Sequence, residues 1–243
     1  LKLLANRGSH YTANMKALTT STAPKSTPLL GLVMIVKNEA ERIAQTLASC
    51  APWINTWTIL DTGSTDGTQT IIRAVLADVP GALYEEPFID FAASRNRALD
   101  LHAQGPHVST FTLMPDADDL LEDGAQLQQV LNLWDDAEPG FMVHIRRGVL
   151  DYWLPTVLHV AAGARYRGCV HEFVDASIGL KLPPQITLRQ DIGNYAASAK
   201  RWHRDLELLT AERIKDPKNS RTVFYLAQTL EQLGLKHDAL IAY

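Results

Sequence analysis

Leu30-Gly31-Leu32-Val33-Met34-Ile35-Val36-Lys37-Asn38-Glu39 sets the frame for the rest of the chain. Up to Val36 it is apolar without alternation, which predicts a strand buried on both faces, as in a parallel sheet. Lys37 ends the run. Downstream, Ile43 and Leu47 stand about one helical turn apart and share a face, and Asn38 is the predicted cap of that helix. The order then repeats. Trp57-Thr58-Ile59-Leu60 reads as a strand, Asp61 to Thr68 as its turn, and Ile71, Ile72 and Val75 as the buried face of a helix. Asp66, followed by Gln69, has the form of a capping box at that helix's start. Ala82-Leu83-Tyr84 is a third, short strand. A helix from about Ala92 to His102 is stopped by Gly105-Pro106, and Val108 to Met114 is a fourth strand. Such alternation predicts an α/β fold: a mostly parallel sheet with helices on both faces.

Past residue 137 the pattern changes. Phe141-Met142-Val143-His144-Ile145 and Thr156-Val157-Leu158-His159-Val160 are β-like with no long helix between them, which predicts an antiparallel extension of the sheet. From about Ala197 the chain reads helical. Trp202, Leu206 and Leu209 form one stripe, and Asp216-Pro217 ends that helix. The spacing of Leu226-Ala227, Leu230, Gly234, Ala239 and Tyr243 fits a tetratricopeptide repeat, a two-helix unit of about 34 residues; an ordinary helical hairpin accounts for it as well. A lone half-repeat leaves an apolar face bare, so the pair is expected either to dock on the main domain or to be a truncated piece of a longer array. Residues 1–28 carry Ser, Thr, Pro and Lys with no sustained period, and Arg7-Gly8-Ser9-His10 looks like an expression tag ahead of a natural start at Met15. The expected division is a disordered or tag-like leader over 1–28, the α/β domain over 29–195 and a helical segment over 196–243.

Composition narrows the function. The chain has 243 residues, 46% hydrophobic and 21% charged, which are globular values. A net charge of −4 and the lack of a Lys/Arg run argue against nucleic acid as a partner. Cys50 and Cys169 are far apart and unpatterned, so neither a disulfide framework nor a zinc site is indicated, and a reducing, cytoplasmic setting fits. The longest apolar run, Leu29 to Val36, is too short for a transmembrane segment.

Asp116-Ala117-Asp118-Asp119 follows the fourth strand. In open parallel sheets ligands bind beyond the carboxyl ends of the strands. Lys37-Asn38-Glu39, Asp61-Thr62-Gly63-Ser64 and the acid cluster all fall at that edge. Close carboxylate pairs there repel by roughly 1 kcal/mol or more each, and a hard divalent cation, which takes carboxylate oxygens, relieves them. Asp and Gly also favour turns in their own right. That suffices for Asp61 or Asp66 taken alone and is weaker for the cluster. Asp119 has a second reading as the N-cap of a helix starting near Asp123. Pro115 fixes its own φ and holds Met114 extended, so the turn is pre-set.

Two further stretches bear on the site. On the helix from Ala92, Arg95 shares a face with Phe91, Ala98 and His102. A buried arginine needs an anionic partner, either a site acid or a ligand phosphate; Arg97 points to solvent. In Ala164-Arg165-Tyr166-Arg167-Gly168-Cys169-Val170-His171-Glu172, His171 is a candidate metal ligand and Glu172 a candidate general base. Arg165 and Arg167 are candidates to offset a leaving diphosphate.

These motifs, in this order, resemble the family 2 nucleotide-sugar glycosyltransferases, whose GT-A fold is a Rossmann-like, mostly parallel sheet flanked by helices. Val170-His171-Glu172 and the repeat-like tail resemble a bacterial branch that joins this domain to tetratricopeptide repeats. The match spans about Leu30 to Tyr243. The resemblance implies nucleotide-sugar binding by Val36, Asn38, Glu39, Asp61, Ser64, Arg95, Asp116 and Ala117. Asp116 and Asp118 look like the family's Asp-x-Asp element for Mn²⁺ or Mg²⁺, with Asp119 an alternative ligand and His171 a third donor. It also implies inversion at the anomeric carbon, with an Asp or Glu deprotonating the acceptor. Glu172 is nominated for that role and Asp151 is the runner-up. Pro115 departs from the family pattern, which has an apolar or acidic residue before the acids.

The leading function is a metal-dependent glycosyltransferase using a UDP- or GDP-sugar, UDP first. Its acceptor would be a glycan, peptide or protein, and the helical tail is a surface for a protein partner. A second reading is a tetratricopeptide-type interaction module with a degenerate transferase domain. A sugar nucleotidyltransferase ranks last, because Lys37-Asn38-Glu39-Ala40 is not a Gly-rich triphosphate loop.

Overall fold

Leu30–Val36 forms β1, and alternate residues along it enter different layers. Leu30, Leu32, Met34 and Val36 belong to the larger apolar cluster, while Val33 belongs to a second one. Burial on both faces explains why the run shows no polar alternation. The computed structural model describes residues 27–134, 138–190 and 198–243. The expected leader, apart from its last residues, and the boundary at 195/196 therefore lie outside the described residues.

Three strands run parallel around β1: β2 (Thr56–Asp61), β3 (Gly81–Glu85) and β4 (Phe111–Leu113), in the order β3-β2-β1-β4. Helices α1 (Ile43–Cys50), α2 (Thr68–Val75) and α4 (Gly124–Asn132) supply Ile43, Leu47, Ile72, Leu127 and Leu131 to the larger cluster. Helix α3 (Phe91–Gln104) supplies Ala98 and Leu99 to the second. Gly31 allows α3 to come close: a Cβ there would stand 2.5 Å from His102 Cε1. His102 is bonded to Thr58 Oγ1 at 3.0 Å and Ser109 Oγ at 2.8 Å, and burial, with the charge of His107, pushes its pKa down to about 4.

The sheet continues through β5 (Asp119–Glu122), β6 (Gly140–Arg147), β7 (Leu150–His159) and, after a ribbon of β8 (Tyr166–Arg167) and β9 (Phe173–Val174), β10 (Thr187–Gln190). Its full order is β3-β2-β1-β4-β7-β6-β10-β5. Strand β7 is antiparallel to β4 and β6, giving the expected antiparallel extension. Three helices close the chain: α5 (Ser198–Lys215), α6 (Ser220–Gln232) and α7 (Lys236–Ala242). Leu209, Leu226, Ala227, Leu230, Ala239 and Ala242 pack together and also take in Cys169 and Val170. The last helices thus dock on the loop between β8 and β9. Gly234, at φ +77°, makes the turn between α6 and α7.

Four local expectations are corrected. Asn38 does not cap α1: it sits at φ +56°, and Arg42 occupies the cap position with no side-chain bond. The capping box at α2 does not form. Gly67, at φ +96°, occupies the cap position with no side-chain bond. Asp66 Oδ1 accepts from the Thr68 N–H at 3.1 Å as a turn bond, and Gln69 Nε2 donates to the Ser64 carbonyl at 3.1 Å instead of turning back. Strand β4 is shorter than Val108 to Met114, because its ladder to β1 covers Phe111 to Leu113. Asp119 begins β5, and the cap of α4 is Asp123, whose Oδ1 accepts from Gln126 N at 3.3 Å.

Candidate active site

The loops after β1 and β2 are joined by side chains to backbone. Asn38 N donates to Ser64 Oγ at 2.8 Å and Asn38 Oδ1 accepts from Thr65 N at 2.8 Å. Glu39 N donates to Thr68 Oγ1 at 2.9 Å, and Ala40 N to Asp66 Oδ2 at 3.0 Å. Bonds from the Thr68 hydroxyl and the Ala40 N–H hold the Asp66 carboxyl below its ordinary pKa. Much of the Asp61-to-Thr68 motif is therefore spent on fixing the two loops against each other. The Val36 carbonyl takes part, accepting from Thr62 N at 2.9 Å.

Asp61 stands apart from that network. It is 1% exposed, and its Oδ1 accepts from Gly63 N at 2.8 Å and Ser64 N at 2.7 Å. Its Oδ2 is buried with no partner. Such an oxygen costs about 1–3 kcal/mol unless a donor arrives.

The turn after β4 separates its three acids. Met114 N donates to the Thr156 carbonyl at 2.9 Å, and Pro115 is buried and accommodated. Ala117 packs inward, its carbonyl accepting from Thr46 Oγ1 at 2.7 Å. Asp119, 3% exposed, also turns inward, and its Oδ2 accepts from Asp116 N at 2.8 Å. Burial and the Asp116 charge push its pKa up to about 7. Asp119 thus braces the turn through Oδ2, while its Oδ1 is buried with no hydrogen-bond partner. Asp116 and Asp118 face outward. Burial, then Asp116, raises the Asp118 pKa, while Arg42, 3.7 Å away, and Arg147 oppose the rise. Glu39 joins them: burial and the charges of Asp118, Asp116 and Asp66 push it up to about 7 against the pull of Arg42.

Arg95 is a buried cation within this edge, at 8% exposure. Its Nη2 donates to Asp116 Oδ1 at 2.5 Å and its Nε to Glu172 Oε1 at 2.7 Å. Its guanidinium lies 5.4 Å from the Tyr166 ring centroid. Burial pulls its pKa down, but Asp116, Tyr166 and Glu172 outweigh that and hold it above the ordinary value. The anionic partners of the buried arginine are thus two site acids. Asn96, next on α3, clamps the β8 backbone: its Nδ2 donates to the Tyr166 carbonyl at 2.9 Å and its Oδ1 accepts from Tyr166 N at 2.8 Å.

Glu172 therefore lies in the cluster, held from the far side of the sequence. Asp151 does not: it pairs with His144, and strand alternation puts it on the opposite face of the β6–β7 hairpin from Tyr152. Tyr152 is the β7 residue that senses the acids, its pKa raised by burial and by Asp119, Asp116 and Asp118 against Arg147. His171 stacks on Tyr225 with centroids 4.2 Å apart. Arg165 pairs with Asp100 at 2.8 Å and Arg167 with Asp175, both on the surface. Among the described residues, no three His, Cys, Asp or Glu side chains come together as a metal site. Arg42, Arg147, Tyr152 and Tyr166 were missed from sequence. Tyr166 lies within the stretch singled out around Glu172 but was given no role there, and extending the β pattern back from Thr156 would have brought in Tyr152; Arg42 and Arg147 carried no local signal.

A mixed α/β sheet with acids at the carboxyl ends of its parallel strands, and helices on both faces, fits the GT-A type of glycosyltransferase. The chain matches the family model "Glycosyl transferase family 2" over residues 32–184 and belongs to that family. Among solved structures it is similar to S. aureus TarS 1-349 in complex with UDP, at 12% identity and TM-score 0.52, covering 83% of this chain and 70% of that one. A second crystal structure of S. aureus TarS 1-349 gives 11% identity and TM-score 0.51 over the same shares. At these identities the likeness concerns the fold. No curated protein matches by sequence. No helix among the described residues is long and apolar enough to cross a membrane.

Proposed function

We propose that the chain transfers a sugar from a nucleoside-diphosphate sugar to an acceptor nucleophile, with inversion and with help from a divalent cation. The observation that carries this reading is the charge crowding at one sheet edge. Glu39 is held near pH 7 and Asp118 above its ordinary value, although Arg42 lies within reach of both. Two outward carboxylates, Asp116 and Asp118, fit a hard cation, and Mn²⁺ or Mg²⁺ held there supplies charge neutralisation at the diphosphate oxygens. His171 stays a weaker candidate for a further donor, since its ring is engaged with Tyr225.

In this reading Asp61 Oδ2 accepts a bond from the nucleoside, which resolves its missing partner. Arg95 fixes Asp116 and Glu172 relative to one another. Glu172 then takes the acceptor's proton as the acceptor attacks the anomeric carbon opposite the departing diphosphate. Val36, Asn38, Ser64 and Ala117 shape the pocket through backbone and loop bonding. UDP is the first donor to test, since the TarS fragment that shares the fold is described in complex with it. The reading also keeps a transferase domain over 29–195 and a tetratricopeptide-type segment over 196–243. Support for the latter is the antiparallel pair α6 and α7, which leaves Leu240 and Ile241 exposed on the outer helix. Calorimetric titration of UDP with and without Mn²⁺ tests the core of it. Micromolar binding that weakens at least tenfold without Mn²⁺ is expected; no heat in either condition sinks the enzyme reading.

A further inference from the structure

Glu172 reaches Arg95 from a loop with two residues in the left-handed region. Gly168 sits at φ +96° and His171 at φ +52°. A left-handed histidine is strained and persists only where its surroundings impose it. On one side the loop is tied to α3: Phe91 N donates to the Cys169 carbonyl at 3.2 Å, at the start of the helix that carries Arg95. On the other side lies α6. Arg221 Nη2 donates to the His171 carbonyl at 2.6 Å, and that carbonyl belongs to the peptide linking His171 to Glu172. The Arg221 guanidinium lies 4.7 Å from the Phe173 ring centroid and 4.9 Å from that of Tyr225. Tyr225 in turn stacks on the His171 ring, centroids 4.2 Å apart and planes 19° from parallel. Both residues flanking Glu172 are therefore held by the helical segment.

We propose that Arg221 and Tyr225 are positioning residues: they hold the His171–Glu172 peptide so that Glu172 meets Arg95, which makes the helical tail part of the site. Its turnover consequence rests on the glycosyl-transfer reading above; its structural claim does not. Arginine suits the role because a planar guanidinium both stacks on the two rings and points an N–H at the carbonyl, which an ammonium does not do.

The test uses the full chain and two readouts. Hydrogen exchange followed by mass spectrometry should show residues 168–174 exchanging on the order of tenfold faster in Arg221→Ala, the scale of one charge-assisted bond, with β1, β2 and α6 still protected. UDP release from a panel of UDP-sugars with Mn²⁺ should show kcat falling by a similar factor at near-constant KM. In a Glu172→Gln background, Arg221→Ala should then cost nothing more, because it acts through that carboxylate. Arg221→Lys should fall between the two and carries the test should the alanine variant not fold. Unchanged exchange at 168–174 overturns the proposal, as do losses that multiply in the double variant. If the wild-type chain releases no UDP from any donor, the enzyme reading fails and the exchange data alone decide the clamp.

Discussion

Asp119→Asn isolates the cost of crowding charge at the sheet edge. Asp119 is buried, its Oδ2 accepts the Asp116 N–H at 2.8 Å, and burial with the Asp116 charge pushes its pKa up to about 7. In an unfolded chain an aspartate ionises near pH 4. Between those values the folded chain keeps a proton that the unfolded chain has released. Stability therefore falls as pH rises through that window and stays low above it. At about 1.4 kcal/mol per pH unit, the penalty has a ceiling of roughly 4 kcal/mol at pH 8. Asparagine keeps an oxygen to accept the N–H and removes the charge. In urea unfolding at fixed ionic strength, the variant should match wild type within about 0.5 kcal/mol near pH 4 and exceed it by about 2–4 kcal/mol at pH 8. Glu39, also near 7, leaves a residual slope of the same sign. A gain independent of pH, or a loss at pH 8, refutes the reasoning, because the cost would then not lie in buried charge.

Three further outcomes are expected. Asp118→Ala should abolish the Mn²⁺ dependence of UDP binding while shifting the unfolding midpoint little, and calorimetry that still shows full Mn²⁺ dependence removes Asp118 from the cation site. Glu172→Gln should cut kcat by at least a hundredfold with UDP affinity within about threefold; near-normal turnover moves the base elsewhere. Arg95→Met keeps the volume but leaves Glu172, 15% exposed, without its cation, while Asp116, 54% exposed, is screened by water. Most of the expected loss, about 3–5 kcal/mol in denaturant unfolding, therefore traces to Glu172, and a loss under 1 kcal/mol contradicts that assignment.

Legibility differed between fold and site for physical reasons. The run at Leu30–Val36 and the apolar spacing at Ile43, Leu47 and Ile72 announced their strand and helices, because two-sided burial and a helical face each demand a period. The need of Arg95 for an anion was equally readable. Its actual partners were not, since Glu172 lies far along the chain and reaches it through a ribbon docked on Asn96. Asn38 and Ser64 looked like ligand residues and turned out to be engaged in loop-to-loop bonds, a use that only the adjacency of β1 and β2 creates. Asp119 looked equivalent to Asp116 and Asp118, yet the turn sent it inward.

Sequence alone determined the layered α/β frame, the acidic edge and the helical tail, because hydrophobic period, turn chemistry and charge density are local properties. Tertiary structure decided which acids face the solvent, which carboxylate meets Arg95, and that α6 holds the loop bearing Glu172. Those outcomes depend on contacts between segments distant in the chain, and burial there, rather than residue type, sets whether a carboxylate is a strut, a partner of arginine or open to a ligand.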